Sequence, residues 1–184
     1  MASRMSKTRL IIMAILIIAV VAIIVIAVNC SSCNPSDSTP QSEKVPDFTL
    51  PTMTGSNITL SELIGTPVVL NFWSISCSWC RKQLPYLENV AQQSGGELEV
   101  IAVNIADNAA SVQDFFVDYE PTMIVALDRN RETFSDYSLK YDNPRGSIPF
   151  TFFIDSEGIM QYKQTGAFQS ETKLWDTLHS VFEL

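Results

Sequence analysis

Two cysteines, Cys77 and Cys80, stand three positions apart in the stretch SISCSWCRKQLP, residues 74–85. Only a thiolate attacks a disulfide, and a free cysteine, with a pKa near ~8.5, is mostly protonated at neutral pH. A cysteine at the start of a helix faces unpaired backbone N–H groups and the positive end of the helix dipole, and both stabilise its anion. An apolar run precedes this pair and a helical pattern follows it, so Cys77 is expected to be the nucleophile. Cys80, one turn further in, can attack the mixed disulfide that Cys77 forms, releasing the partner and leaving an internal disulfide. The redox-active disulfide Cys77–Cys80 then needs no separate cofactor.

A metal site is the competing reading of the same residues. Structural zinc takes four ligands, usually from paired CxxC or His motifs. A second pair exists in CSSC, Cys30 and Cys33, but it adjoins a long apolar run across a polar tether, and the only histidine, His179, falls near the C-terminus. That distribution favours redox chemistry over metal binding. Cys30-Ser-Ser-Cys33 has neither a strand before it nor a helix after it, so it reads as a lipidation or palmitoylation site or a passive disulfide rather than a second active centre.

The elements that must position Cys77 can be read on either side of it. PVVLNFWS, residues 67–74, is a continuous apolar run with β-branched and aromatic members, as in a buried central strand. From Cys80 onward Leu84, Leu87, Val90 and Ala91 recur at helical spacing up to Gly95-Gly96. The order strand then helix repeats. LEVIAVNI is a strand; Val112, Phe115, Phe116 and Tyr119 mark a helical face that Pro121 stops; TMIVALD is a strand followed by a helix over 132–139. PFTFFID, the turn SEG and IMQYKQTGAF read as an antiparallel hairpin, and Leu174, Leu178, Val181 and Phe182 as a closing amphipathic helix. Upstream, PDFTLPTMTGSNITLSEL predicts a hairpin around TGSN and a helical turn at Leu60–Ile64. Together these predict an α/β domain over 45–184: a mixed β-sheet flanked by helices, with an N-terminal hairpin extension.

Residues 10–28, LIIMAILIIAVVAIIVIAV, are uninterruptedly apolar and as a helix would cover roughly the hydrocarbon thickness of a bilayer. The run exceeds the ~7–15 residues of a secretory apolar region, which predicts an uncleaved single-pass transmembrane helix within an anchor segment 1–29. Arg4, Lys7 and Arg9 precede it, so the N-terminus is expected in the cytoplasm and the domain outside, beyond a flexible tether over 30–44. Lipoprotein attachment through Cys30 is the alternative. Residues 34–184 carry nine Lys or Arg against all twenty Asp and Glu, a balance of −11 that repels phosphate backbones and argues against nucleic-acid binding.

VVLNFWSISCSWCRKQLP, with GSIPFTFFIDSEG about seventy residues later, resembles the thioredoxin superfamily. Within it the chain is similar to membrane-anchored, outward-facing thiol-disulfide oxidoreductases of the TlpA/ResA type, and its opening VPDFTLPTMTGSNITLSEL is similar to the start of those proteins and of the thiol-specific antioxidant proteins. The resemblance implies a thioredoxin-like fold, extracytoplasmic thiol/disulfide proteins as partners, a membrane electron donor, and the reducing direction, as in supplying reduced thiols for cytochrome c maturation. It also makes Ile148-Pro149 a cis-proline loop whose Ile148 backbone pairs with an extended substrate, and places Pro85 in the active-site helix. Trp73 reads as packing beneath the site, and Trp79, in an exposed position between the cysteines, as a partner-contact residue.

Departures from the family are informative. Ser76 replaces a usual tryptophan, Asn71 stands for the buried acid of thioredoxin, and Gln83 for the carboxylate of some ResA-like proteins, so neither offers a proton acceptor to Cys80. Arg81 and Lys82 either lower the thiol pKa or form a solvated helix face. Two other functions compete: a thiol peroxidase, whose lone cysteine in a Pro/Thr-rich loop is missing here, and a copper-binding module, whose wider cysteine spacing and well-placed histidine are also missing.

Overall fold

A computed structural model describes residues 43–182. The run at 10–28, Cys30, Cys33 and most of the tether lie outside the described residues. Among those described, no helix is long and apolar enough to cross a membrane.

A short hairpin comes first: β1 (Thr49–Pro51) and β2 (Asn57–Thr59) pair antiparallel, and a 3-10 turn follows at Leu60–Leu63. Then come β3 (Val68–Trp73), α1 (Ser78–Gln93), β4 (Glu99–Ile105), α2 (Ala109–Phe115), β5 (Ile124–Asp128), α3 (Glu132–Lys140), β6 (Phe150–Ile154), β7 (Met160–Thr165) and α4 (Glu171–Phe182). The sheet order is β5-β4-β3-β6-β7, with β3, β4 and β5 parallel and β6 and β7 antiparallel. This is the expected mixed sheet, and β3 is its central strand.

Every residue of β3 is buried because both of its faces are covered. Side chains alternate across a strand, so Val69 and Trp73 face the core under α1, α2 and α4, which includes Leu84, Leu87, Phe116, Leu174 and Leu178. Val68, Leu70 and Phe72 face the opposite core with Phe134 and Tyr137 of α3 and Phe48 and Leu50 of the hairpin region. In that second core Phe72 lies 5.4 Å from Phe134 and 5.2 Å from Tyr137, and Tyr137 lies 5.0 Å from Phe152, ring centre to ring centre. Such tilted aromatic pairs contribute about 0.5–1.5 kcal/mol each beyond the area they bury.

The N-terminal arm is tied to the far end of the sheet. Lys44 bridges to Ile159 and Val45 N–H donates to Gly158 O at 3.0 Å, at the β6–β7 turn. Gly158 has φ +85°, a left-handed conformation that side chains with a Cβ rarely adopt, so the turn favours glycine there. Since Ile154 pairs with Val68 at the start of β3, this turn lies at the pole opposite Cys77.

One element is shorter than its pattern predicts. The helix expected to reach Tyr119 ends at Phe115, and Tyr119 is half exposed rather than on a buried face. Phe115 and Phe116 both pack on Trp73, with centroids 5.3 and 5.8 Å away. Adjacent residues on a helix point about 100° apart, so the chain leaves the helix to bring both rings inward.

Candidate active site

The end of β3 delivers the chain to a short loop, Ser74–Ser76, and α1 then begins with Cys77 as its N-cap. Cys77 Sγ accepts the Cys80 backbone N–H at 3.1 Å, so the sulfur occupies the place where a capping oxygen usually sits. The two cysteines form a disulfide with Cα atoms 5.2 Å apart. Their exposure differs sharply: Cys77 is partly exposed, whereas Cys80 is 1% exposed and packed in the core under α1. An incoming thiol or disulfide can therefore reach only the Cys77 sulfur.

Ile148-Pro149 is a cis peptide, and the Ile148 carbonyl oxygen lies 3.8 Å from Cys77 Sγ. Pro149 O is taken by Gly166 N–H at 2.8 Å, in a turn where Gly166 has φ +90°. The Ile148 carbonyl has no backbone donor among the described residues, so it faces the disulfide with its acceptor capacity free. A groove of about 300 Å³ opens here, walled by Trp79 on one side and by Gly166 and Phe168 on the other, over Ile148 and Pro149.

Trp79 is 62% exposed, and Lys82 Nζ lies 4.5 Å from the centre of its ring. Trp73 is fully buried, as expected of a packing residue. Its indole N–H has no hydrogen-bond partner among the described residues.

Beneath the disulfide runs a buried polar chain. Asn71 Nδ2 donates to Thr151 Oγ1 at 2.8 Å, Gln83 Nε2 donates to the same oxygen at 3.2 Å, and Gln83 Oε1 accepts Phe168 N–H at 2.9 Å. Asn71 and Gln83 therefore meet at one hydroxyl, although 12 residues separate them in sequence. Neither amide titrates, so this chain fixes geometry and takes no proton.

A Redoxin family model matches residues 40–178. The chain belongs to the Redoxin family. It is a ResA-like protein of the thioredoxin superfamily: it is 30% identical over 146 residues to thiol-disulfide oxidoreductase ResA of Bacillus subtilis, covering 79% of this chain and 78% of that one. A solved structure described as thiol:disulfide interchange protein DsbE from Chlorobium tepidum superposes with a TM-score of 0.66 at 26% identity, covering 76% of this chain and 95% of that one. The exposed lipoprotein thioredoxin of Streptococcus pneumoniae does so with a TM-score of 0.62 at 25% identity, over 73% of this chain and 99% of that one.

In this Redoxin-family chain the structure brings Cys77, Cys80, Ile148, Pro149 and Trp79 to one pole, with Trp73, Asn71 and Gln83 directly beneath. Arg81 and Lys82 are exposed on α1, and Lys82 stacks on Trp79. Three participants had no clear signal in sequence. Thr151 is polar between the apolar residues of PFTFFID, and that lone interruption opposite Asn71 in the β3–β6 register was the available clue. Phe168 acts through its backbone N–H. Asp107, on the loop after β4, accepts Ile75 N–H at 2.8 Å and so grips the loop ahead of Cys77.

Proposed function

We propose that this thiol-disulfide oxidoreductase works in the reducing direction on protein disulfides outside the cytoplasm, held at the membrane by residues 10–28. The observation that carries the exchange chemistry is the asymmetry of the redox pair, one sulfur at the surface on a helix N-terminus and the other buried behind it. The reducing direction and the location rest on the likeness to ResA and on the apolar run. The surface sulfur is fit to attack, the buried one to resolve.

In the reduced protein the Cys77 thiolate attacks a sulfur of the partner's disulfide. A Cys77–partner bond forms, the partner's S–S bond breaks, and its departing thiolate takes a proton from solvent. Cys80 then loses its proton to water, since Asn71 and Gln83 offer no base, and attacks Cys77 Sγ. The partner leaves with both sulfurs reduced, two electrons having passed from the Cys77–Cys80 pair, which closes as the disulfide. An extended partner chain pairs with the free Ile148 carbonyl while Trp79 covers its side. Reopening the pair requires a dithiol donor, for which a membrane protein is the natural source. The named activity of the Bacillus subtilis relative supports this chemistry, and the lipoprotein thioredoxin among the similar structures supports a tethered domain at the cell surface. Apocytochrome c thiols kept ready for haem attachment are the substrate the resemblance suggests.

Two measurements test this. Cys80→Ser in the full-length chain should accumulate mixed disulfides through Cys77 with extracytoplasmic proteins, whereas Cys77→Ser should accumulate none. The reduction potential of the pair should fall near the roughly −270 mV of thioredoxin; a value near the roughly −120 mV of DsbA would reverse the direction.

A further inference from the structure

The loop Ser74–Ser76 leads directly to the nucleophile and makes few bonds of its own. Cys77 N–H donates to Ser74 O at 3.2 Å, and the Ser74 and Ser76 hydroxyls pair at 3.2 Å. Among the described residues one side chain from outside grips the loop: Asp107, whose Oδ2 accepts Ile75 N–H.

Asp107 is itself firmly held. Its Oδ2 also accepts from Asn104 Nδ2 at 2.9 Å, and its N–H donates back to Asn104 Oδ1 at 3.2 Å. Asn104 is buried at the end of β4, opposite Trp73 in the β3–β4 register. Ala106, immediately before Asp107, has φ +72°, a left-handed conformation that a residue with a Cβ adopts only when its surroundings impose it. Its N–H donates to Asp128 O at 3.1 Å, which anchors that conformation from β5. A strained backbone and a buried amide thus serve to bring one carboxylate to the residue two before Cys77.

We propose that Asp107 is a positioning residue that preorganises the Cys77 arm, stabilises the Cys77–Cys80 disulfide and thereby makes the reduced pair a stronger reductant. The inference rests on the reducing reading above. When the pair closes, its two thiols give two electrons to the partner's disulfide and release two protons, and both sulfurs must adopt a single geometry. An arm already held in that geometry loses less freedom on closure, so the disulfide is favoured. A loosened arm makes the pair more oxidising.

Asp107→Asn and Asp107→Ala test this together, because both are uncharged at that position and only the amide can accept Ile75 N–H. Each full-length variant and the wild type is equilibrated at pH 7 with glutathione buffers, and alkylation followed by mass measurement of the peptide that carries Cys77 and Cys80, apart from Cys30 and Cys33, reads the oxidised fraction. The disulfide of D107A should be less stable than that of D107N by about three- to tenfold, tenfold corresponding to about 30 mV more positive for this two-electron couple. Equal values for the two variants overturn the proposal while leaving the oxidoreductase reading intact. Should D107A not fold, hydrogen exchange at the Ile75 amide of the wild type decides. Protection in both redox states supports the proposal, and exchange at the rate of a free loop in the reduced state overturns it. A wild-type pair that cannot be cycled at all overturns both readings.

Discussion

Gln83 Oε1 accepts the backbone N–H of Phe168 at 2.9 Å, which joins the first turns of the active-site helix to the wall of the groove beside the disulfide. The two residues are 85 positions apart and both are buried, so the bond closes the site from the side of α4. Gln83→Leu removes this bond and the one to Thr151, leaving the buried Phe168 N–H unpaired while Thr151 keeps Asn71, and should cost about 1–3 kcal/mol. Gln83→Glu keeps an acceptor for Phe168 but buries a carboxyl. Burial raises its folded pKa above the unfolded value of roughly 4.3, so its penalty is absent in acid and grows as pH rises. Urea unfolding should therefore find Q83E closer to the wild type at pH 5 than at pH 8; the same deficit at both would show that residue 83 is not sealed from solvent.

Glu88 on α1 makes the opposite case. Its carboxylate accepts Thr122 N–H at 2.8 Å, Met123 N–H at 3.3 Å and Gln92 Nε2 at 2.8 Å. Desolvation alone pushes the carboxyl up, but these bonds outweigh it and hold the group below its ordinary value. A lowered folded pKa gives stability that is complete above the unfolded value of roughly 4.3 and is lost as pH falls through the folded one. Glu88→Gln should be less stable at pH 7 by about 1 kcal/mol, and should lose less than the wild type between about pH 5 and pH 3. Parallel acid slopes in urea unfolding would remove Glu88 as a cause of acid sensitivity.

Much of the site was legible because its logic is local. A buried strand, a cysteine at a helix start and a second cysteine one turn on are fixed by neighbours in sequence, so Cys77 and Cys80 could be assigned from their spacing. Ile148-Pro149 came from family resemblance, since most X–Pro bonds are trans and nothing local marks this one. The buried chain was half legible. Asn71 and Gln83 stood out as replaced acids, but their meeting at Thr151 depends on the β3–β6 register, which no short stretch encodes. Asp107 was invisible: an aspartate after a strand is ordinary loop chemistry until the fold sets it against Ile75. Tyr119 misled because helical spacing continues past the point where Phe115 and Phe116 turn to Trp73.

Asp128 closes β5, and its Oδ2 accepts Phe134 N–H at 2.8 Å in the first turn of α3, while Oδ1 has no partner among the described residues. Burial is the largest influence on it and raises the carboxyl; backbone bonds from Phe134, Thr133 and Glu132 pull downward, and the Glu132 charge adds to the rise. A raised folded pKa means the group's cost is absent below the unfolded value of roughly 3.9 and appears as pH climbs. Asp128→Asn retains an acceptor for Phe134 and cannot ionise. Its stability relative to the wild type should improve by about 1 kcal/mol between pH 4 and pH 8, read by urea unfolding. A difference independent of pH would mean Asp128 titrates alike in the folded and unfolded chain.

Trp79 presents a large apolar surface beside the disulfide, and Lys82 over its ring restrains it without hiding it. A protein partner lying along Ile148 would cover the indole, and an aromatic so placed is the kind of residue that carries much of an interface's binding energy. A small disulfide such as oxidised dithiothreitol reaches the Cys77 sulfur without needing that cover. Trp79→Ala should therefore lower kcat/KM for protein disulfides by about tenfold or more, chiefly by raising KM, and leave the rate with the small disulfide within about twofold. An equal loss with both substrates would assign Trp79 to the intrinsic reactivity of the Cys77–Cys80 pair, and no loss with either would leave the groove's selectivity to Phe168 and the Ile148-Pro149 loop.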